Sequence, residues 1–466
     1  MHRRDFLRAS TTISAVLASQ SLSAFDLWKK SGRKRVALVG TGIRGSSLWG
    51  KNVVDNYAGQ VEFVGLCDSN PGRLQTVANW MQAGCPTFTD FDQMMRETKP
   101  EWVIVTTVDN THHHFIIKAM EGGAHVITEK PMTTDEVKCR QLLETQKETG
   151  KKVLVTFNYR HTPHNTEVKR LLHETRIGKV TSVDFHWYLN VYHGASYFRR
   201  WHGYIEKGGS LWVHKATHHF DLLNWWLGAD PVEVTAYGAQ EHYGKNGPFR
   251  HTNCRPCPHK KNCRYYWDIT ENDHLMELYV KNEQYDGYLR DGCVYRKDID
   301  IWDKMSAQIK YSNDVMVNYS LTTYGPYEGW RIGFNGFDGR IDTWEDIPYQ
   351  RGEYSEADQA ELHANEMATG QEEVPKEFHE IILHKNFEKN YKSIKVPKYR
   401  YGHGGGDKRM LDYLFVNPDA ADPLGHMAGS RAGALSILIG VAARKSIAEQ
   451  RAVRIDELVA SDLLKE

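Results

Sequence analysis

The stretch Arg35-Val36-Ala37-Leu38-Val39-Gly40-Thr41-Gly42-Ile43-Arg44-Gly45 constrains this chain more than any other. An apolar strand runs into a tight glycine turn and then a helix. The glycines keep the G-x-G-x-x-G spacing. Gly40 permits the turn, Gly42 lets backbone approach a pyrophosphate, and Gly45 lets the helix pack closely on the strand. Free N–H groups and the helix dipole then favour phosphates at the helix start, beside Ile43 and Arg44. A second apolar strand, Val61 to Cys67, ends at Asp68. That acid stands ~20 residues beyond the glycines, where a ribose-binding carboxylate belongs. The pattern predicts a bound dinucleotide; the competing reading is a glycine turn with no ligand. Asp68 favours NAD over NADP, because a carboxylate repels a 2′-phosphate. Arg73 nearby works against that preference.

The chain has 466 residues, enough for two or three domains. Lys+Arg and Asp+Glu are both 59, so no basic excess argues for nucleic acid. The 13 Trp and 24 Tyr suit the faces of sugar rings, although a large core would use them equally. Residues 1–24 read as an export signal. Arg3-Arg4-Asp5-Phe6-Leu7-Arg8 resembles the twin-arginine pattern, an apolar stretch covers 13–18, and Ser21, Ser23 and Ala24 offer a cleavage site. The apolar stretch is too short to span a membrane, so no integral membrane segment is expected. A twin-arginine signal implies export in the folded state, here to the periplasm. No free NAD pool exists there, so the expected NAD is tightly bound and recycled.

Residues 33–155 alternate strands and helices, which predicts a doubly wound parallel sheet. The strand Trp102 to Thr107 ends where ligands bind in such sheets, and the loop after it carries His112, His113 and His114. A later strand, His125 to Thr128, ends in Glu129-Lys130-Pro131. These features, with Asn158-Tyr159-Arg160 and the run from Gly208 to Asp221, resemble the glucose–fructose oxidoreductase/inositol dehydrogenase (Gfo/Idh/MocA) family from about Arg33 to the C-terminus. The resemblance implies a Rossmann domain followed by a second α/β domain, residues 156–466, built on a large, mostly antiparallel open sheet. It also implies an active site between the domains and homo-oligomers, dimers or tetramers. Period-two alternation in 181–189, 232–237, 306–311 and 316–321 agrees independently. Gly404-Gly405-Gly406, flanked by His403 and Asp407, reads as a loop, and 427–448 as a helix.

The resemblance assigns Lys130 to polarising the substrate hydroxyl or relaying its proton, with Glu129 holding it by charge. Thr107 and His112 fall near the cofactor. His218 is the expected general base. Four residues earlier the family usually has Asp; here it is His214, expected to be an acid, a sugar ligand or a metal ligand. Helical periodicity over 215–226 puts His214, His218 and Asp221 on one face, with Lys215 beside them. Three adjacent histidines on a loop rarely face one ion, so a metal at 112–114 is not expected. Tyr159, Arg160, Arg199, Arg200, Trp201 and His202 are candidate sugar contacts, since guanidinium forks and indole faces suit hydroxyls and pyranose rings. Cys254, Cys257, Cys263 and Cys293 lie in a polar insertion, 250–295. Four thiolates can hold a structural zinc; the same residues can form two disulfides. The expected function is NAD-dependent oxidation of a sugar or glycoside hydroxyl. The alternatives are an NAD-dependent glycosidase, working by transient oxidation, elimination, hydration and reduction, a non-catalytic binding protein, and a dehydrogenase of the biliverdin-reductase or dihydrodiol type acting on unsaturated or aromatic substrates.

Overall fold

The computed structural model describes residues 32–347 and 377–465. The export signal read at 1–24 lies outside them. The first sheet contains β1 (Lys34–Val39), β2 (Val61–Cys67), β3 (Thr87–Phe88), β4 (Trp102–Val105), β5 (His125–Thr128) and β6 (Val153–Val155). Their order is β6-β5-β4-β1-β2-β3, and every pair is parallel. Parallel strands are covered by helices on both faces, and 36–39 and 102–105 are buried throughout. The strand order reverses between β1 and β4. That switch point opens a crevice at the carboxyl ends of the strands, between the turn after Val39 and the loop after Val105.

The second sheet contains β7 (Val180–Asn190), β8 (Pro231–Ala239), β9 (Lys304–Tyr311), β10 (Met316–Gly325), β11 (Gly329–Gly336), β12 (Gly339–Glu345), β13 (Glu377–Lys385) and β14 (Lys392–Lys398). The order is β14-β13-β12-β11-β7-β10-β9-β8, with Val453–Arg454 completing the edge. The β7–β10 pair is parallel and the neighbouring pairs are antiparallel. β9 buries Met305, Ala307, Ile309 and Tyr311 and exposes the residues between them, as a sheet packed on one face must. The helices Ala216–Leu227 and Ser430–Glu449 pack together on the buried side. The C-terminal helix starts later than its periodicity suggests, because Ala428–Gly429 first adds a short antiparallel strand beside β6. Residues 402–405 all lie at positive φ, so the start of the glycine-rich stretch is a left-handed turn, and right-handed helix follows it to Leu411.

Between β8 and β9 the chain leaves the sheet in short turns around two short helices, Asp273–Leu278 and Glu283–Asp286. This excursion docks on the first domain. Ile269, Leu275, Leu278 and Tyr279 share an apolar cluster with Val36, Leu38, Leu48 and Val77. Among the described residues no helix is long and apolar enough to cross a membrane.

Candidate active site

A cavity of about 630 Å³ runs from Asp68 and Arg73, past the glycine turn, to Lys130, His214 and His218. Its nucleotide end is built by close approach of backbone. At Gly40, where φ is +91°, a Cβ would lie 2.7 Å from the Thr106–Thr107 peptide. At Gly45 it would lie 2.0 Å from the Gly40 carbonyl. At Gly42 it would meet nothing nearer than the Tyr279 hydroxyl at 3.4 Å, so Gly42 opens onto the cavity. Two glycines therefore serve packing, and one leaves room for phosphate. Asp68 ties this turn to the end of β2. Its Oδ2 accepts from Thr41 N and Oγ1 at 2.7 and 2.8 Å, and its Oδ1 accepts from Asn70 N at 2.8 Å. Arg73 pairs with Asp68 at 3.5 Å and with Asp286 at 2.7 Å. Two carboxylates therefore meet whatever sits here. The donor set fits a ribose with free hydroxyls and repels a 2′-phosphate, so the residues present fit NAD.

Arg44 does not reach outward as a phosphate ligand. It donates to Glu129 Oε1 at 2.9 Å and lies 3.4 Å from Asp407. Trp49 Nε1 also donates to Glu129, at 2.9 Å. Burial works against the charge of Glu129, but Arg44, Lys130 and Trp49 outweigh it and hold the carboxyl below its usual range. Asp407 in turn binds His403 at 2.8 Å and Asn158 at 2.7 Å, which fastens the glycine-rich 404–406 segment to the site.

Lys130 stands directly after β5 and lines the cavity. Burial pushes its ammonium down to about 8, against the pull of Glu129 and Asp109. Asp109 comes from the loop after β4 and was not anticipated as a site residue. Its Oδ2 lies 2.5 Å from His214 Nδ1. Burial raises the Asp109 carboxyl well above its usual range and drives the His214 imidazole well below. Both shifts favour uncharged forms, so the pair shares one proton and carries no net charge. His202 packs edge-on against His214 at 4.2 Å and stacks on Trp201 at 3.5 Å. His218 stacks on Tyr159 at 4.4 Å, and its buried Nδ1 has no hydrogen-bond partner among the described residues. Burial, with Lys130 and Lys215 nearby, holds it well below the usual histidine range. Lys215 reaches the Tyr159 hydroxyl at 3.5 Å and lies over the Tyr159 and Trp187 rings.

The structure therefore brings Lys130, His214, His218, Lys215, Tyr159, Trp201 and His202 to one cavity. Arg160 and Asp221 do not join them. They form a buried bidentate pair at 2.8 and 2.6 Å, and Arg160 also donates to the Gly425 carbonyl. Arg160 is thus no sugar contact, and Asp221 orients no imidazole. The cause is position along the helix: His218 and Asp221 both face the 158–161 segment, but Asp221, nearly one turn further on, meets Arg160 outside the cavity. His112 acts as a bracket: its ring nitrogens face the Pro131 carbonyl at 2.8 Å and the Thr107 carbonyl at 3.1 Å. A neutral ring donates once, and the shorter contact takes the N–H. Thr107 lines the cavity beside it.

The four insertion cysteines converge around a void of about 10 Å³ away from this cavity. All are free thiols, and no group of three or more His, Cys, Asp or Glu side chains among the described residues is arranged to hold a metal. The expected zinc or disulfides thus find no counterpart. Instead Arg199 donates to Cys254 Sγ at 3.0 Å and to the Tyr265 carbonyl, so Arg199 holds the insertion while Arg200 faces the cavity.

Residues 34–157 match the oxidoreductase family with an NAD-binding Rossmann fold, and residues 169–455 match that family's C-terminal α/β domain. The chain belongs to the Gfo/Idh/MocA oxidoreductase family. Its relatives include the Bacillus subtilis (strain 168) protein named "Putative oxidoreductase YteT", 36% identical over 443 residues, or 91% of this chain and 98% of that protein. The scyllo-inositol 2-dehydrogenase (NAD(+)) of the same organism is 28% identical over 210 residues, covering 44% of this chain and 57% of that protein. The chain thus matches little more than half the length of that dehydrogenase. The structure of a levoglucosan dehydrogenase in complex with NADH and levoglucosan superposes with a TM-score of 0.61 over 91% of this chain and 99% of that one. At 16% identity that likeness speaks for the fold alone. The family member is an NAD-dependent oxidoreductase.

Proposed function

We propose that this Gfo/Idh/MocA member oxidises a secondary hydroxyl of a sugar or glycoside, using NAD that stays bound and is recycled between turnovers. The observation that carries the reading is Lys130: a cavity-facing amine just past the end of β5, depressed to about 8, in the same cavity as His218. Bound NAD supplies the acceptor for the carbinol hydride. Lys130 takes the hydroxyl proton, because its pKa suits proton transfer near neutrality. His218 is too weak a base for that task. Its ring, stacked on Tyr159 in the cavity wall, packs against the substrate and fixes which carbon is presented. The Asp109–His214 pair passes no net charge and orients a neighbouring hydroxyl. Tyr159 and Trp201 offer aromatic faces to a sugar ring.

The inositol dehydrogenases among the relatives support a polyol or sugar substrate. The twin-arginine-like pattern at 1–24 supports export to the periplasm, where a retained cofactor is needed. The solvent-facing side of the second sheet, with Tyr237 and Met316 exposed, supports a homo-oligomer.

The test uses enzyme produced with its own cofactor and a panel of free sugars, polyols and glycosides, with no NAD added. A stoichiometric rise in NADH absorbance that stalls until an electron acceptor is supplied is the expected result. Sugar release over many turnovers without lasting NADH would instead establish the redox-neutral glycosidase. Silence across the panel would refute the sugar assignment.

A further inference from the structure

The arginines of the cavity fall into two groups. Arg44 is paired with Glu129 and Asp407, and Arg73 with Asp68 and Asp286. Arg200 and Arg290 line the same cavity, yet neither has a carboxylate partner among the described residues. Arg200 donates its Nε to the Ser196 carbonyl at 2.8 Å and lies over the Tyr197 ring at 5.5 Å, which leaves both Nη groups unbonded. Arg290 lies over the Tyr279 ring at 4.4 Å, and its Nε is buried without a partner. The buried Tyr288 hydroxyl also lacks one. Like charges gathered without a counter-charge disfavour each other, and Arg200 is pushed below its usual range by burial and by Arg290. An anion with two or more oxygens would answer the Nη groups of both arginines at once, since guanidinium forks match phosphate and carboxylate.

Tyr279 indicates where that anion lies. Its hydroxyl accepts from Ile43 N at 2.9 Å and stands over Gly42, at the turn where dinucleotide phosphates bind. Its own O–H remains to donate. The segment is held there by the Asn282 carbonyl, which accepts from Asn70 Nδ2 at 3.0 Å, and by His274 stacked on Trp80 at 4.4 Å.

We propose that Arg200 and Arg290 form a second anion seat facing the glycine turn, and that the 250–295 insertion, which carries Arg290, is thereby a clasp over the pyrophosphate of the bound dinucleotide. This rests on the NAD reading of the cavity. The same oxygen chemistry could come from an acidic substituent of the substrate, such as a uronate or a sugar phosphate. Position beside Tyr279 and Ile43 favours the cofactor.

The experiment uses the full-length enzyme with Arg200→Gln, Arg290→Gln and the charge-keeping Arg290→Lys. Three readouts are taken: exchange of bound NAD against labelled NAD, inhibition by ADP-ribose and by adenosine, and KM for an acidic sugar and its neutral analogue. Each Gln variant is expected to speed NAD exchange and weaken ADP-ribose by about ten- to a hundredfold, the range for a lost charge-assisted hydrogen bond. Adenosine, which has no phosphate, should change less than twofold, and Arg290→Lys should fall between parent and Arg290→Gln. Unchanged ADP-ribose with a tenfold rise in KM for the acidic sugar alone would overturn the clasp and assign the seat to the substrate. No change in any readout would refute the seat. If a Gln variant loses adenosine as well, the pocket has collapsed, and Arg290→Lys decides: parent-like ADP-ribose inhibition with that variant refutes a fork-specific seat. Absence of any nicotinamide dinucleotide from the denatured parent enzyme, with no uptake of labelled NAD, would instead refute the NAD reading.

Discussion

Replacing Lys130 with Met tests the proton step, because the local fold does not depend on the amine. Glu129 keeps its hydrogen bonds from Arg44 and Trp49, and Lys130 donates none to a described residue. Methionine has similar length and no charge, so the cavity wall keeps its shape. A positioned acid or base contributes about 10²–10⁴ in rate. That corresponds to about 2.7–5.4 kcal/mol of barrier, at about 1.36 kcal/mol per decade. The pH profile gives the sharper readout. Burial lowers Lys130 from 10.5 to about 8, so the amine is mostly protonated below that value and uncharged above it. If the uncharged form accepts the proton, kcat/KM rises about tenfold per pH unit below about 8 and levels off above it. Lys130→Met should abolish this limb while bound NAD, measured by absorbance of the denatured supernatant, stays stoichiometric. A variant that keeps its cofactor and more than a tenth of its activity would refute the assignment. So would survival of the limb near 8.

Three further outcomes follow from the same geometry. Asp109→Asn should lower kcat/KM by less than about tenfold, because burial already holds that group as a neutral acid. Asp109→Ala, which strands the buried Nδ1 of His214, should cost about tenfold or more; equal losses in the two variants would mean that Asp109 works as a carboxylate. Gly45→Ala places a methyl 2.0 Å from the Gly40 carbonyl and should cost about 3 kcal/mol of stability in thermal unfolding. Gly42→Ala should fold normally and lose cofactor, and similar melting of the two glycine variants would contradict the division of roles. Arg160→Gln breaks the buried pair with Asp221 and should cost about 3–5 kcal/mol of stability. The substrate KM of material that folds should not move; a large KM change would return Arg160 to the substrate site.

What was legible in the sequence and what was not divide by the range of the contacts involved. The glycine turn, the strand ending at Asp68 and the Glu129-Lys130 corner are local patterns, and each landed on the cavity. The helix carrying His218 was legible too, because its apolar periodicity is strong. Where its face leaves the cavity was not. His214 sits in hydrogen-bonded turns before the helix and reaches the cavity with His218, whereas Asp221, nearly one turn beyond His218, does not. His218 stacks on Tyr159 while Asp221 grips the adjacent Arg160, so one residue along the 158–161 segment separates a cavity contact from a structural pair. No spacing rule makes that distinction. The insertion was harder still. Its cysteines drew attention through their spacing, whereas the residues that reach the cavity, Tyr279, Tyr288 and Arg290, sit in turns without periodicity. The contact between Tyr279 and Ile43 spans 236 positions. The formal net charge of zero conceals the same point. Compensation is achieved pair by pair across long separations, at Arg73–Asp286 and Arg44–Asp407 for example, and is absent at Arg200 and Arg290 among the described residues. Two cavity guanidiniums without a carboxylate among the described residues are a property of the folded contact map that no spacing rule reveals, and that pairing is the observation behind the proposed anion seat.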